Sequence, residues 1–134
     1  MIIDASVAFK LMVEEPGSEE AIRWVERAEM IGPSLIHAEV ANALWKRVRN
    51  GELADDGEAQ AHLADLSRYV RTIDHTPFMP RALALAGELA NPVYDCVYLA
   101  LAEGMEDELL TADLRFVRAV ASTAHAARVR ELGT

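Results

Sequence analysis

Four acidic residues stand close to the points where short apolar runs give way to helical patterns. Asp4 in "MIIDAS" and Asp113 in "LLTAD" end apolar runs, whereas Glu39 in "SLIHAEV" and Asp95 in "NPVYD" lie in the first turns of helical patterns. A single acid at such a place can cap a helix by accepting hydrogen bonds from free backbone N–H groups. Several carboxylates in one pocket repel one another, and a divalent cation relieves that repulsion. The four acids therefore predict either separate helix caps or one cation-binding cluster.

Hydroxyl side chains accompany two of these acids. Ser6 follows Asp4 by two residues, and Thr111 precedes Asp113 by two residues. A hydroxyl so placed can orient a ligating carboxylate by hydrogen bonding to it. Local turns, or capping by Ser6, explain the same spacing equally well. Capping does not require a hydroxyl beside each strand-end acid, and the whole set favours a cluster.

The elements that must position these acids alternate between strands and helices. Buried strands are predicted at "MII" with Asp4, "IGPSLI" (31–36), "YVRTI" (69–73) and "ELLT" (108–111), with a short fifth strand near 128–132. Amphipathic patterns between them predict helices at "SEEAIRWVERA", through Ala41 to Val48, over 56–69, and through Phe78 to Leu89. Asn91 and Pro92 predict the start of a further helix, with Asn91 as its N-cap.

Strands that alternate with helices of this length require crossover connections and therefore form a parallel sheet. We expect a single domain over residues 1–134, built as an α/β fold: a three-layer α/β/α sandwich with a four- to five-stranded parallel sheet. Ligands of such sheets bind beyond the carboxyl ends of the strands, which is where the acids are predicted to lie.

Composition narrows the class of protein. An apolar fraction of 51% with 26% charged residues is typical of a globular domain, and the one cysteine, Cys96, stands in an apolar run as a buried side chain would. That run is too short to span a bilayer, and Asp4 stands where a signal peptide carries positive charge, so we expect a cytoplasmic protein. A net charge of -9 argues against nucleic-acid binding through a broad basic surface. It remains compatible with a local basic rim, with a divalent cation that offsets clustered acids, or with a basic protein partner.

The segments "IIDAS", "PSLIHAEVANAL", "NPVYDCVYLALA" and "LLTADLRF", in this order, resemble the PIN domain family, and in detail the VapC-type toxins of bacterial toxin–antitoxin pairs. The resemblance covers essentially the whole chain. It implies a metal-dependent ribonuclease with sheet order 3-2-1-4-5, which places strand three at an edge and Asp74 outside the site. Its implied metal-binding and catalytic residues are Asp4, Glu39, Asp95 and Asp113, with Ser6, Asn42 and Thr111 as supporting polar groups. It also implies a cognate antitoxin that blocks the site, and a homodimer.

Oxygen ligands suit Mg²⁺, with Mn²⁺ as an alternative, and the scattered histidines show no ligand spacing for structural zinc. Such an ion activates water for direct attack on a phosphodiester. Two roles stay open for Glu39, as ligand of a second ion or as general base.

A further pattern concerns the substrate. At about 100° per residue, Glu39, Asn42, Lys46 and Arg49 fall within roughly 80° of one another on their helix. We predict that Lys46, Arg49 and Arg115 contact RNA phosphates. A solvated helix C-terminus, where basic residues complement the helix dipole, explains the two helix cations equally well.

Two other functions fit part of the pattern. A PIN domain that has lost catalysis would act only as a protein-binding module. An aspartate-nucleophile phosphatase also carries an acid after its first strand, but it needs a second acid where this chain has Ser6. A dinucleotide-binding fold is disfavoured because the chain contains no Gly-x-Gly-x-x-Gly loop.

Overall fold

A computed structural model describes residues 1–133 and contains a five-stranded parallel sheet. In chain order, the strands are β1 (Ile2–Ile3), β2 (Met30–Pro33), β3 (Val70–Ile73), β4 (Leu109–Thr111) and β5 (Val129–Glu131). Their order across the sheet is β3-β2-β1-β4-β5, and every neighbouring pair is parallel. The predicted order and the fifth strand are confirmed.

The helices connect these strands in two groups. Their bounds are α1 (Ala5–Met12), α2 (Ser18–Arg27), α3 (Ile36–Arg49), α4 (Glu58–Tyr69), α5 (Met79–Leu89), α6 (Val93–Gly104) and α7 (Leu114–Val120), with 3₁₀ turns at Thr76–Phe78 and Ala124–Arg128. Helix α1 contacts α2, α3 and α4, while α5 packs along α6. Because crossovers between parallel strands are right-handed, the reversal of direction after β3 puts these two groups on opposite faces of the sheet. The predicted three-layer sandwich is confirmed.

Two local predictions differ from the structure, and one helix was not predicted. The second strand ends at Pro33 rather than at residue 36, because Leu35 already has helical dihedral angles and Ile36 opens α3 while remaining fully buried. Asn91 does not cap α6, since Pro92 holds the N-cap position and no side chain bonds there. The segment after Asp4 forms a separate helix, α1, which the sequence patterns did not predict.

The core lies around β1 and α6. Ile2 and Ile3 are fully buried, and α6 is buried without interruption from Cys96 to Ala102. A helix enclosed on all sides must be apolar all round, which explains why "CVYLALA" has no amphipathic period. Burial raises the pKa of the Cys96 thiol to about 11, so this cysteine is a packing residue.

The sheet order brings the carboxyl ends of the central strands together. β1 pairs with β2 on one side and with β4 on the other, and Ile3 lies opposite Leu110. The segments that follow β1 and β4 therefore emerge side by side, and α3 begins shortly after β2. Over residues 1–133, no helix is both long enough and apolar enough to cross a membrane.

Candidate active site

Asp4 lies at the junction of β1 and α1, with both carboxylate oxygens held. Its Oδ1 accepts hydrogen bonds from the Ser6 hydroxyl at 2.5 Å and from the Val7 amide at 3.2 Å, and its Oδ2 accepts one from the Thr111 hydroxyl. The Val7 bond makes Asp4 the N-cap of α1. Asp4 therefore caps a helix, one of the two roles that the sequence offered for it, and its carboxylate is also oriented by two hydroxyl groups.

The two hydroxyls also join the loops that follow β1 and β4. Ser6 Oγ accepts from the amide of Ala112 at 2.9 Å, and Thr111 Oγ1 accepts from the amide of Asp113 at 3.0 Å. Thr111 is fully buried. A buried hydroxyl that both donates and accepts has a fixed orientation, so this pair holds the Asp4 carboxylate beside the Asp113 backbone.

Asp113 directly precedes α7. Its Oδ1 accepts from the amides of Arg115 at 3.0 Å and Phe116 at 3.4 Å, which makes it the N-cap of that helix. Its negative charge acts on the carboxyls of Asp4 and Asp95 and raises the pKa of each. The charge of Asp113 therefore acts on acids that belong to two other segments of the chain.

Asp95 occupies the first turn of α6 and is oriented by Asn91. Its Oδ2 accepts a hydrogen bond of 2.9 Å from the Asn91 amide nitrogen. Partial burial raises the pKa of Asp95, and the charge of Asp113 adds to that rise, while Asn91 and the nearby charge of Arg115 oppose it. Asn91 serves this carboxylate instead of the helix terminus that the sequence assigned to it.

Glu39 lies in the first turn of α3 and is held by a tyrosine that the sequence patterns did not single out. The hydroxyl of Tyr98 donates to Glu39 Oε1 at 2.5 Å, and Tyr98 is only 2% exposed. Burial raises the pKa of Glu39, the Tyr98 bond lowers it, and the charges of Asp95 and Asp4 raise it further. Tyr98 follows Asp95 by three residues on α6, so helical spacing was a signal that could have identified it.

Burial dominates the electrostatics of the cluster. It raises the pKa of Asp4 to about 6, against the lowering effect of the Ser6, Thr111 and Val7 hydrogen bonds. Burial is also the largest cause of the raised pKa values of Glu39 and Asp95. Negative charge at this end of the sheet is therefore costly, and a bound cation would reduce that cost.

The carboxylate oxygens of the four acids are the kind of ligand that a hard divalent cation prefers, although the side chains are not arranged around a single point. Within residues 1–133, no three His, Cys, Asp or Glu side chains are already grouped to hold an ion. Asp4 and Asp95 instead bond to Ser6, Thr111 and Asn91. Mg²⁺ retains several waters and binds through one or two carboxylates, so contact through water is compatible with these positions.

Asn42 and the predicted phosphate contacts Lys46, Arg49 and Arg115 do not all lie at one groove. Asn42 and Lys46 line an open groove together with Glu39, and the charge of Arg115 reaches Asp95. Arg49 instead stacks over the Trp45 ring at 4.8 Å from its centroid. Trp45 lines a separate apolar groove between α3 and α4, so the structure does not bring Arg49 to the groove that contains Glu39.

Asp74 lies apart from the cluster, as the sheet order predicts. It is an exposed residue after the edge strand β3, and its Oδ1 accepts from the backbone and hydroxyl of Thr76. These hydrogen bonds lower the pKa of Asp74, in contrast to the raised values of the clustered acids. Asp74 is therefore a local turn residue and a matched control for the site.

Comparison with known proteins identifies the family. The PIN domain family model matches residues 1–121. The chain is 38% identical over 117 residues to Ribonuclease VapC3 of Pyrobaculum aerophilum, which covers 84% of this chain and 88% of that protein. It is 30% identical over 118 residues to Ribonuclease VapC12 of Mycobacterium tuberculosis, covering 88% of this chain and 90% of that protein.

Solved structures share the fold. The structure of PAE2754 from Pyrobaculum aerophilum has a TM-score of 0.72 and 25% identity, and covers 98% of this chain and 89% of that one. A toxin–antitoxin complex from Klebsiella pneumoniae has a TM-score of 0.65 at 18% identity, covers 96% of this chain and 94% of that one, and shows the fold alone. Because the family model spans most of the sequence and close relatives match over nearly their full length, this chain belongs to the PIN domain family.

Proposed function

We propose that this protein is an Mg²⁺- or Mn²⁺-dependent endoribonuclease and the toxin of a type II toxin–antitoxin pair. The observation that carries the proposal is that the fold orients three of the four candidate carboxylates by hydrogen bonds: Ser6 and Thr111 hold Asp4, Asn91 holds Asp95, and Tyr98 holds Glu39. Membership of the PIN family and likeness to proteins named as VapC ribonucleases support RNA as the substrate.

Asp4, Asp95 and Asp113 are our proposed ligands for the ion, directly or through water. A divalent ion supplies positive charge that lowers the pKa of a nearby water and stabilises negative charge on a phosphate. Asp4 is suited to this role because Ser6 and Thr111 fix its orientation. Asn91 does the same for Asp95.

Glu39 is our proposed general base. Tyr98 holds its Oε1, and its Oε2 has no hydrogen-bond partner among residues 1–133. Burial raises the pKa of Glu39 towards neutral pH, and a general base is most effective when its pKa lies near the pH of the reaction. Ligation of a second ion is the other role that this position supports.

Lys46 and Arg115 are our proposed phosphate contacts. Lys46 lines the groove that contains Glu39, and Arg115 lies within electrostatic reach of Asp95. Asn42, on the same helix face, can donate to or accept from a substrate group. Arg49, already stacked on Trp45, is the weakest member of this proposed set.

A cognate antitoxin and a second copy of the chain are the proposed protein partners. The family resemblance supports both, and the net charge of -9 complements a basic antitoxin. A basic side chain of the antitoxin, reaching the clustered carboxylates, would offset their repulsion as an ion does.

Cleavage of single-stranded RNA with and without Mn²⁺ or Mg²⁺ tests the function. We expect ion-dependent cleavage by the wild-type protein, a loss on the order of 100-fold or more with Asp95→Asn, and unchanged cleavage with Asp74→Asn. The last variant removes an acid of the same type outside the cluster. A wild-type protein that folds but cleaves no RNA with either ion would favour a PIN domain that acts only by binding protein.

Tyr98→Phe is expected to lower kcat/KM by about tenfold, since hydrogen bonds to charged groups contribute roughly 1.5–3 kcal/mol. The tyrosine hydroxyl lowers the pKa of Glu39, so its removal should raise that pKa. If ionised Glu39 is the active form, the acidic limb of the pH–rate profile moves to higher pH. Measurement of kcat/KM across the acidic range checks this, and an unshifted limb would contradict a link between Tyr98 and Glu39.

A further inference from the structure

A groove of about 450 Å³ adjoins the candidate active site between α3 and the start of α6. Glu39, Asn42 and Lys46 line it from α3, and Tyr94 lines it from α6. The remaining lining is small or apolar: Ala5, Leu35, Ala38 and Ala43. The groove thus begins at a clustered carboxylate, ends at a cation, and has an aromatic ring on one side.

Tyr94 is the unusual member of this lining. Its side chain is 64% exposed, although it directly precedes Asp95 and lies one helical turn before Tyr98. Its hydroxyl forms no hydrogen bond with residues 1–133, and its ring is not among the side chains packed on the core. The fold therefore does not require an aromatic residue here, whereas Tyr98, one turn later, is buried and bonded.

We propose that Tyr94 stacks on a nucleobase of the RNA next to the cleaved phosphate. This inference rests on the proposed ribonuclease function. Single-stranded nucleic acids bind to aromatic side chains by base stacking, with basic side chains along the backbone. A base inside a duplex is already stacked on its neighbours and cannot reach the ring.

The groove chemistry favours RNA over a peptide as its occupant. Lys46 supplies a positive charge for a phosphate on an otherwise acidic protein, and the Asn42 amide offers a donor and an acceptor for a base edge. The small side chains of Ala5, Ala38 and Ala43 leave space beside the Tyr94 ring for a flat group. Because Glu39 lines the same groove, a base stacked on Tyr94 would lie beside the bond to be cleaved.

Substitution of Tyr94 tests the stacking. We expect Tyr94→Phe to retain the wild-type kcat/KM on single-stranded RNA, because it keeps the ring, and Tyr94→Ala to lose about 5- to 100-fold. Tyr94→Leu, which keeps apolar volume without the ring, should resemble Tyr94→Ala. Tyr69→Ala is the matched control, an exposed tyrosine at the end of α4 outside this groove, and should leave cleavage unchanged.

Substrate changes provide a second test with the wild-type protein. An RNA with a single abasic nucleotide, moved stepwise past the cleavage site, should lose cleavage at one position, and Tyr94→Ala should be insensitive to the abasic change there. The same sequence in a duplex should be cleaved poorly. Ultraviolet crosslinking of RNA that carries iodouracil at that position should label Tyr94 in the wild type, as mass spectrometry of the peptide would show.

The outcomes separate the two proposals. No ion-dependent cleavage by the wild-type protein overturns the ribonuclease function itself. Cleavage by the wild type with equal kcat/KM for Tyr94→Ala, equal cleavage of duplex and single strand, or crosslinks that avoid Tyr94 each overturn the stacking alone. If Tyr94→Ala does not fold, Tyr94→Leu and the crosslink decide.

Discussion

Replacement of Asp4 by Asn is expected to reduce RNA cleavage strongly and, at neutral pH without divalent ions, to make the folded protein more stable. The two effects have one cause. Burial raises the pKa of Asp4 to about 6, so the ionised carboxylate at neutral pH opposes folding. Asparagine carries no charge and remains a good N-cap for α1. A residue retained at a cost to stability is typical of a functional site.

The change in the free energy of unfolding caused by Asp4→Asn depends on the difference between the pKa of Asp4 in the folded state and in the unfolded state. The folded pKa of Asp4 lies above the unfolded value of 3.8, so its stabilising contribution is complete below that value and is lost as pH rises through about 6. The full shift corresponds to about 3 kcal/mol, and partial exposure of Asp4 reduces our expectation to about 2 kcal/mol. We therefore expect Asp4→Asn to gain about 2 kcal/mol near neutral pH and less at about pH 5.

Urea denaturation of the wild type and Asp4→Asn in EDTA, at about pH 5 and about pH 7.5, measures this difference. Comparing the variants isolates Asp4 from the other carboxyls that titrate in the same range. Asp74→Asn is the control, because hydrogen bonds lower the pKa of Asp74 and its removal should give no gain at neutral pH. An Asp4→Asn protein that is less stable than wild type at both pH values would contradict the electrostatic cost.

The same variant should lose cleavage by a factor on the order of 100 or more, because one of the proposed ion ligands is gone. The Ser6 and Thr111 hydroxyls can still bond to the asparagine side chain, so the local structure is retained. Full activity in a stable Asp4→Asn protein would remove Asp4 from the chemistry and leave it as a helix cap. Loss of activity together with gained stability is the combination that an unfolded variant could not produce.

Addition of Mg²⁺ or Mn²⁺ is expected to produce the second large effect, a rise in the free energy of unfolding of about 3 kcal/mol at 100 times the dissociation constant. The ion offsets the negative charge of Asp4, Glu39 and Asp95, whose pKa values are raised first by burial and then by neighbouring acids. Its removal with EDTA should reverse the stabilisation and stop cleavage together. Thermal or urea denaturation across an ion titration measures the change.

The stabilisation by ions should also depend on pH. At about pH 5 a proton competes with the ion for the Asp4 carboxylate. The same ion concentration should therefore stabilise the folded protein less than at about pH 7.5. The Asp4→Asn, Asp95→Asn double variant should respond weakly at both pH values, whereas Asp74→Asn should respond as the wild type does. An equal response in the double variant would place the ion elsewhere on this acidic chain.

The parallel sheet was predictable from local patterns in the sequence, whereas its strand order was implied only by the resemblance to the PIN family. Alternating strands and helices require a parallel sheet, and the motif order that resembles the PIN family implied the arrangement 3-2-1-4-5, which the structure confirms. The neighbouring positions of β1 and β4 follow from that order. Strand-end acids such as Asp4 and Asp113 could thus be assigned to the same end of the sheet before any coordinates were known.

Element boundaries were less predictable, again for a physical reason. Ile36 is buried whether it ends a strand or begins a helix, so its apolar character could not distinguish the two. The "Asn-Pro" pair before α6 has the composition of a helix start, but the Asn91 side chain finds a charged partner in Asp95. The amide nitrogen of Asn91 donates to this carboxylate, and a hydrogen bond to a charged acceptor is stronger than one between neutral groups.

Side-chain partners across the fold were decided by tertiary structure alone. The sequence by itself determined which residues can carry charge and which end of the sheet they approach, because strand and helix periodicity act over a few neighbouring positions. Only the packed fold determined that Tyr98 holds Glu39, that Thr111 holds Asp4, and that Arg49 stacks on Trp45. The first two contacts join segments that are distant in sequence, and the third depends on which face of α3 its neighbours leave open. Burial and available space decide all three, and both are defined only once the chain has folded.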